Sequence, residues 1–284
     1  MIFMAYSSAR FIINDEFKIL SSEIIIESIE KILDELIKEL GLTAEKFDVI
    51  NVFINDSGSY ALKDAIYVSV RDVTNSNFKV QDMFEKIFRH ELVHVLVERY
   101  YGMAPPILWE GLPIYLADRK FRKKFHNFDD HAFCQFLLNK NFLPELKSIL
   151  CGHHFYARRH DYIVDVESSS FTGYLIENHG SDKLMTVFSN FKQPTPENPV
   201  LNINELMTNI YGKNFFQLEN LWHEFLRDVY KPADLIDDKY LNREFCRDIQ
   251  LKSIHCKFCY TPMPPESKIC TECGADKKIE FEIR

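Results

Sequence analysis

Apolar residues recur at helical spacing between residues 22 and 40. Ile25, Ile29, Ile32, Leu33, Leu36 and Leu40 fall on one face and Gly41 follows as a stop, which predicts an amphipathic helix over Ser22 to Leu40. Before it, Phe3 to Ile13 reads as a strand. After it, Asp48 to Ile54 reads as a strand closed by the turn residues Asn55-Asp56-Ser57-Gly58, and Ala65 to Val70 as another. Val80 to Tyr101 predicts a second helix of a different kind. Met83, Phe84, Ile87, Phe88, Leu92, Val95 and Leu96 cover most of its circumference, so much of it is expected to be buried. Asp82 and Glu85 suit the positive end of its dipole, and Gly102 with Pro105 and Pro106 ends it. Residues 127–150 read as helical, Gln193 to Pro199 as a proline-rich loop, and 231–252 as a polar connector with a short helix. No internal repeat is visible.

The centre of the apolar helix carries His90-Glu91-Leu92-Val93-His94. Residues i and i+4 of a helix share a face, one turn apart. Two imidazoles placed so can share a zinc ion, and Glu91 can reach a water on it. Polar groups in an apolar helix centre are costly unless they are partnered. A metal satisfies all three together; the alternative is two hydrogen-bonded core histidines with Glu91 paired to Arg89 or Arg99. A catalytic zinc needs a third protein ligand and an open position. Glu110 is the candidate, on a second helix expected to start near it, with Pro113 in the first turn. Glu110 as a first-turn carboxylate serving the helix dipole is the other reading.

These segments resemble a known family. His90-Glu91-Leu92-Val93-His94, followed by Trp109-Glu110-Gly111-Leu112-Pro113-Ile114-Tyr115-Leu116-Ala117, is similar to the gluzincin metallopeptidases of the peptidase MA-like group. Ser169 to Gly180 is similar to that group's later S-F-x-x-Y-L helix, Tyr211 to Trp222 to its closing helix, and Ala9 to Ile13 to its opening strand. The resemblance spans roughly residues 7–228. It implies a zincin-like α+β domain with a small N-terminal mixed sheet, the histidine helix and a helical C-terminal part. It also implies Zn²⁺ held by His90, His94 and Glu110, with Glu91 as general base. The strand before the histidine helix would be a sheet edge that binds extended peptide, although by composition it is an ordinary edge strand. An oxyanion donor would come from a later Tyr or His; Tyr162 is preferred over Tyr174, His160 and His154. One departure stands out. Relatives often carry an acid one turn after the third ligand, where this chain has Ile114, so Asp118 or a backbone carbonyl would replace it.

Near the C-terminus, Cys256-Lys257-Phe258-Cys259 and Cys270-Thr271-Glu272-Cys273 form two C-x-x-C knuckles at short separation. Four thiolates at this spacing predict a closed structural zinc site of ribbon type, whose metal supplies much of the folding energy of so short a segment. Two disulfides are the alternative. Cys134, Cys151 and Cys246 read as unrelated thiols. The expected organisation is a peptidase domain over 1–230, a connector over 231–252 and a ribbon over 253–284.

Composition narrows the function. A formal net charge of −8 gives no global field for nucleic acid or anionic membrane. The ribbon's acids and bases balance, so it carries no nucleic-acid footprint, and a protein-docking role fits it better. Arg119 to His126 is a basic run, read as a solvated helix end or as a grip on phosphate. No apolar run has the length of a membrane span, and Met1 to Ala5 is too short for a signal core. A reducing, cytoplasmic setting is expected. The sequence thus favours a zinc-dependent peptidase acting on peptide or protein, with one catalytic and one structural zinc. A catalytically weak zincin fold that binds a protein partner through its groove and ribbon is the alternative.

Overall fold

The computed structural model describes residues 4–43, 48–75, 78–118, 129–139, 141, 143–150, 162–192, 203–229, 252–256, 262–263 and 278–282. Its architecture is α+β, with a small mixed sheet and mostly helices. Two compact units divide the chain, residues 1–100 with 116–121, and residues 101–115 with 122–284.

The first unit is built on a five-stranded sheet of β1 (Met4–Ser7), β2 (Phe11–Asp15), β3 (Ile50–Asn55), β4 (Tyr60–Leu62) and β5 (Ala65–Ser69), in the order β1-β2-β3-β5-β4. β2, β3 and β5 run parallel, while β1 and β4 pair antiparallel at the two edges. Two sequence expectations are corrected here. The stretch expected to be one strand from Phe3 to Ile13 is a hairpin over its described residues from Met4 on, because the Ser8 hydroxyl accepts from the Arg10 and Phe11 amides at 3.3 and 3.1 Å and folds the chain back. The strand before the histidine helix is interior, since β4 pairs with its outer side; the edge is β4.

Alternation sets the faces. Phe11, Ile13, Ile50, Val52, Ile54, Ile66 and Val68 are fully buried on one of them. On the other, Phe53, Tyr67 and Tyr60 stack in a row across three strands, with centroids 4.9 and 4.4 Å apart. Helix α1 (Ser22–Glu39) is capped by Ser21 and buries Ile25, Ile29, Leu33 and Leu36. A short α2 (Val70–Thr74) leads to α3 (Val80–Tyr100), the histidine helix. α3 packs on β5 and α1, with Phe88 edge-on to Phe11 at 5.8 Å. Arg99, at its end, donates to the Asp48 carbonyl at 3.1 Å and to Asp64 at 3.0 Å.

The second unit is helical: α4 (Pro106–Pro113), α5 (Asp130–Asn139), a single 3₁₀ turn (Leu146–Ile149), α6 (Tyr162–His179), α7 (Ser181–Asn190), α8 (Ile203–Tyr211) and α9 (Phe215–Val229). A wide π turn (Ile114–Asp118) continues α4, and from Leu116 on its residues belong to the first unit. The predicted helical stretch 127–150 is therefore interrupted. Asn141 takes a left-handed φ of 57° and Pro144 follows, a pairing that stops helices.

α6 is the hub, with α4, α5, α7 and α9 against it. Its interior is polar: Glu167, Ser168, Ser169, Ser170 and Thr172 are fully buried. The three serine hydroxyls have partners. Ser169 donates to Asp130, Ser168 donates to the Val164 carbonyl at 2.7 Å, and Ser170 lies 2.8 Å from His131 Nδ1 while accepting from Trp222 Nε1 at 3.1 Å. Ser169 and Ser170, which dock α5 and α9, explain why α6 lacks an apolar stripe.

Beyond these, β6 (Lys252–Cys256), β7 (Pro262–Met263) and β8 (Lys278–Glu282) form an antiparallel sheet in the order β7-β6-β8. Cys256 closes β6; Cys259, Cys270 and Cys273 lie outside the described residues. So do the basic run 119–126, the loop 193–199 and nearly all of the connector 231–252. Among the described residues, no helix is long and apolar enough to cross a membrane.

Candidate metal centre

Helical spacing brings His90 and His94 together on α3, with ring centroids 5.1 Å apart and planes inclined at 70°. One ring nitrogen of each and a carboxylate oxygen of Glu110 all lie within 4.8 Å of one another. Among the described residues, no other group of three or more His, Cys, Asp or Glu is placed to hold a metal ion. Tetrahedral zinc, with bonds of about 2.1 Å, sets its ligand atoms about 3.4 Å apart, a spacing that lies inside the 4.8 Å limit these donors meet. Two imidazoles and one carboxylate form a donor set that suits zinc and leaves a position open. His94 is 7% exposed, Glu110 4% and Glu91 8%, while His90 is half-buried.

Glu110 reaches this place by a different local route from the one expected. α4 starts at Pro106, where the Leu108 and Trp109 amides bond to the Pro105 carbonyl at 2.9 and 2.8 Å. Glu110 therefore lies past the first turn, which contains no acid, and the helix-dipole reading of this residue does not apply. Pro113 ends the regular helix, because its missing N–H cannot continue the ladder and the chain widens into the π turn. The preset φ of Pro106 was the start signal, four residues upstream of the expected one.

Gly111, next to Glu110, has a steric reason to be glycine. A Cβ there would lie 2.5 Å from the Ser168 carbonyl oxygen and closer still to Thr172 Oγ1, so α4 rests on α6 backbone to backbone. The reciprocal contact is Gly173 of α6, where a Cβ would meet the Tyr115 ring at 2.5 Å. The Tyr115 hydroxyl then donates to Glu177 at 2.9 Å, and Glu177 lies 3.5 Å from His131 Nε2. Two glycines and this polar chain fix the Glu110 helix on the hub.

Arg89 and Arg99, the sequence candidates for pairing with Glu91, are engaged elsewhere. Arg99 holds Asp64, and Arg89 holds Glu35 and Glu39 at 2.7 and 2.6 Å and the Leu116 carbonyl at 3.0 Å. The sequence did not reveal the acidic partners of Arg89, the close packing at Gly111 or the docking role of Ser169 and Ser170. Their signals were an arginine set among apolar residues, a glycine inside a helix, and small polar residues in an otherwise apolar stretch.

Of the oxyanion candidates, Tyr162 opens α6, but its side chain lies outside the described residues, as do His154 and His160. Tyr174 is 5% exposed and packs against His179 and Phe225, with centroids 5.7 and 5.3 Å away. Burial, with Glu224 nearby, raises its pKa. Ile114 is buried, and the side chain of Asp118 lies outside the described residues.

Two other histidines make the fold sensitive to acid. His179 sits edge-on between the Tyr174 and Tyr211 rings, and burial, then Lys183 and Lys213, lower its pKa below 6.5. Burial, then Arg227, lower that of His223, opposed by Glu145. The folded state refuses protons that the unfolded chain accepts below pH about 6.5, so stability falls as pH drops from there toward the folded pKa values and is then flat. Melting temperature should decline from pH 7.5 to pH 5.5, and His179→Phe should flatten part of that decline. An unchanged slope in the variant would show that His179 does not contribute.

No known family profile and no curated protein sequence matches the chain.

Proposed function

We propose that the chain is a zinc-dependent peptidase of gluzincin type, as its sequence resemblance suggests. The observation that carries this reading is the convergence of His90, His94 and Glu110, with Glu91 between the histidines on the same buried helix. A zinc ion bound there would polarise the scissile carbonyl and make its water acidic. Glu91 would take the proton of the attacking water and return it to the leaving amine. Glu91 and Glu110 are both largely removed from solvent, and a poorly solvated setting would strengthen each of these interactions. Of the two edge strands, β4 is the one in contact with the histidine helix, and it would pair with an extended peptide.

Cys256, Cys259, Cys270 and Cys273 would hold a second, structural zinc, in keeping with the three short antiparallel strands formed by this part of the chain. This module would recruit a protein substrate or partner. Four thiolates on one zinc fit a reducing compartment such as the cytoplasm.

The test is cleavage of a complex peptide mixture, read by mass spectrometry, before and after treatment with 1,10-phenanthroline. Cleavage should stop with the chelator and return with added zinc. Cleavage that persists in chelator would overturn the assignment. Zinc binding with no turnover on any mixture would favour a protein-binding zincin fold.

A further inference from the structure

The residue before the first histidine, Arg89, is only 3% exposed, yet it carries a full charge. Its guanidinium has three directed partners. Nη1 and Nη2 donate to Glu35 and Glu39, one turn apart on α1, and Nε donates to the main-chain carbonyl of Leu116 in the π turn. We propose that Arg89 is a positioning residue for the metal centre, fixing the histidine helix in register with the chain segment that leaves Glu110. This inference rests on the zinc reading above.

The geometry supports registry over simple cohesion. The widened π turn departs from the i→i−4 ladder, and one of its carbonyls is taken by Arg89. Leu116 follows Glu110 on one continuous helical run, and Arg89 directly precedes His90. The guanidinium thus ties the residue before His90 to the chain six residues after Glu110. The planar fork meets the two carboxylates and the carbonyl through three different nitrogens in fixed directions; the three donors of an ammonium radiate from one nitrogen and do not reproduce that spread. If cohesion alone were needed, a well-packed apolar side chain would serve as well as a buried ion cluster, or better. Metal sites demand more, since ligands must be held to within about 0.5 Å.

Arg89→Lys in the full-length protein is the test, because it keeps the cation near Glu35 and Glu39 and loses the fork. Three quantities would be read: zinc affinity by chelator competition, the visible spectrum of Co²⁺ in place of zinc, and the thermal melt. Thiolate-to-metal bands from the cysteine site separate its cobalt from that on the histidines. The histidine-site affinity should fall about 10- to 100-fold, as when outer partners of metal ligands are lost. Its cobalt spectrum should change, and the cysteine site should be untouched. A purely structural role would lower the melting temperature and leave the folded protein's zinc affinity and cobalt spectrum as in the wild type, which would overturn the proposal. Should the lysine variant not fold, Glu35→Gln with Glu39→Gln loosens the same clasp from its more exposed side, and the same two readouts decide. His94→Ala separates the two levels of failure. If that variant binds as much zinc as the wild type, the metal reading falls and this inference with it. If it loses one zinc while the Arg89 variant binds normally, the inference alone falls.

Discussion

Glu91→Gln should leave zinc content unchanged and slow peptide hydrolysis about 10²- to 10⁴-fold, the span that one general base contributes. Glu91 lies between the two histidines on α3 and is 8% exposed, so an amide of the same shape keeps the local packing. Glutamine cannot accept the water proton, and nothing else in the His90–His94–Glu110 group can, because those side chains would be bound to the metal. The loss should fall on kcat, since the proton moves only on the way to the transition state. Activity within about tenfold of wild type, with zinc retained, would mean that another group is the base. Loss of zinc in the variant would mean that Glu91 holds the site together structurally.

The second large effect concerns the hub. Trp222→Ala should lower the unfolding free energy of the helical unit by about 3–5 kcal/mol, the range for deleting a large buried aromatic side chain. Trp222 has no exposed surface, meets Phe171 edge-on at 5.7 Å and donates its indole N–H to Ser170 at 3.1 Å. That serine also contacts His131, so the indole is one end of a polar chain running through α6 to α5. Trp222→Phe would keep much of the ring contact and remove only the donor, at about 1 kcal/mol. Urea unfolding followed by circular dichroism measures both. A Trp222→Ala loss under about 1 kcal/mol would contradict the packing described here.

The two long helices of the first unit and the interior faces of its strands could be read from periodicity, because there a single face is buried and residue spacing reports it directly. The histidine pair was legible for the same reason, since four-residue spacing on an apolar helix leaves one geometry. What escaped the sequence depended on contacts distant in the chain. The Ser8 turn hides in a run of strand-forming residues, because a single hydroxyl accepting two amides folds it back. The interior place of β5 is set by β4, whose three residues carry too little pattern to be seen. The true start of α4 is marked by Pro106, but Pro113 offered a competing start, and only the backbone bonds to Pro105 choose between them. The partners of Arg89 come from Glu35 and Glu39, some fifty residues earlier, and no local rule joins them. The serines of α6 read as neither apolar stripe nor solvent face, because buried hydroxyls do the docking.

The most direct test of the central claim is zinc stoichiometry by elemental analysis, on the wild type and on His94→Ala purified without added metal. Two zinc ions per chain, falling to one in the variant, is the expected result: one ion on His90, His94 and Glu110 and one on the four cysteines. A zinc content that is the same in both proteins would contradict it, leaving the histidine helix without a metal.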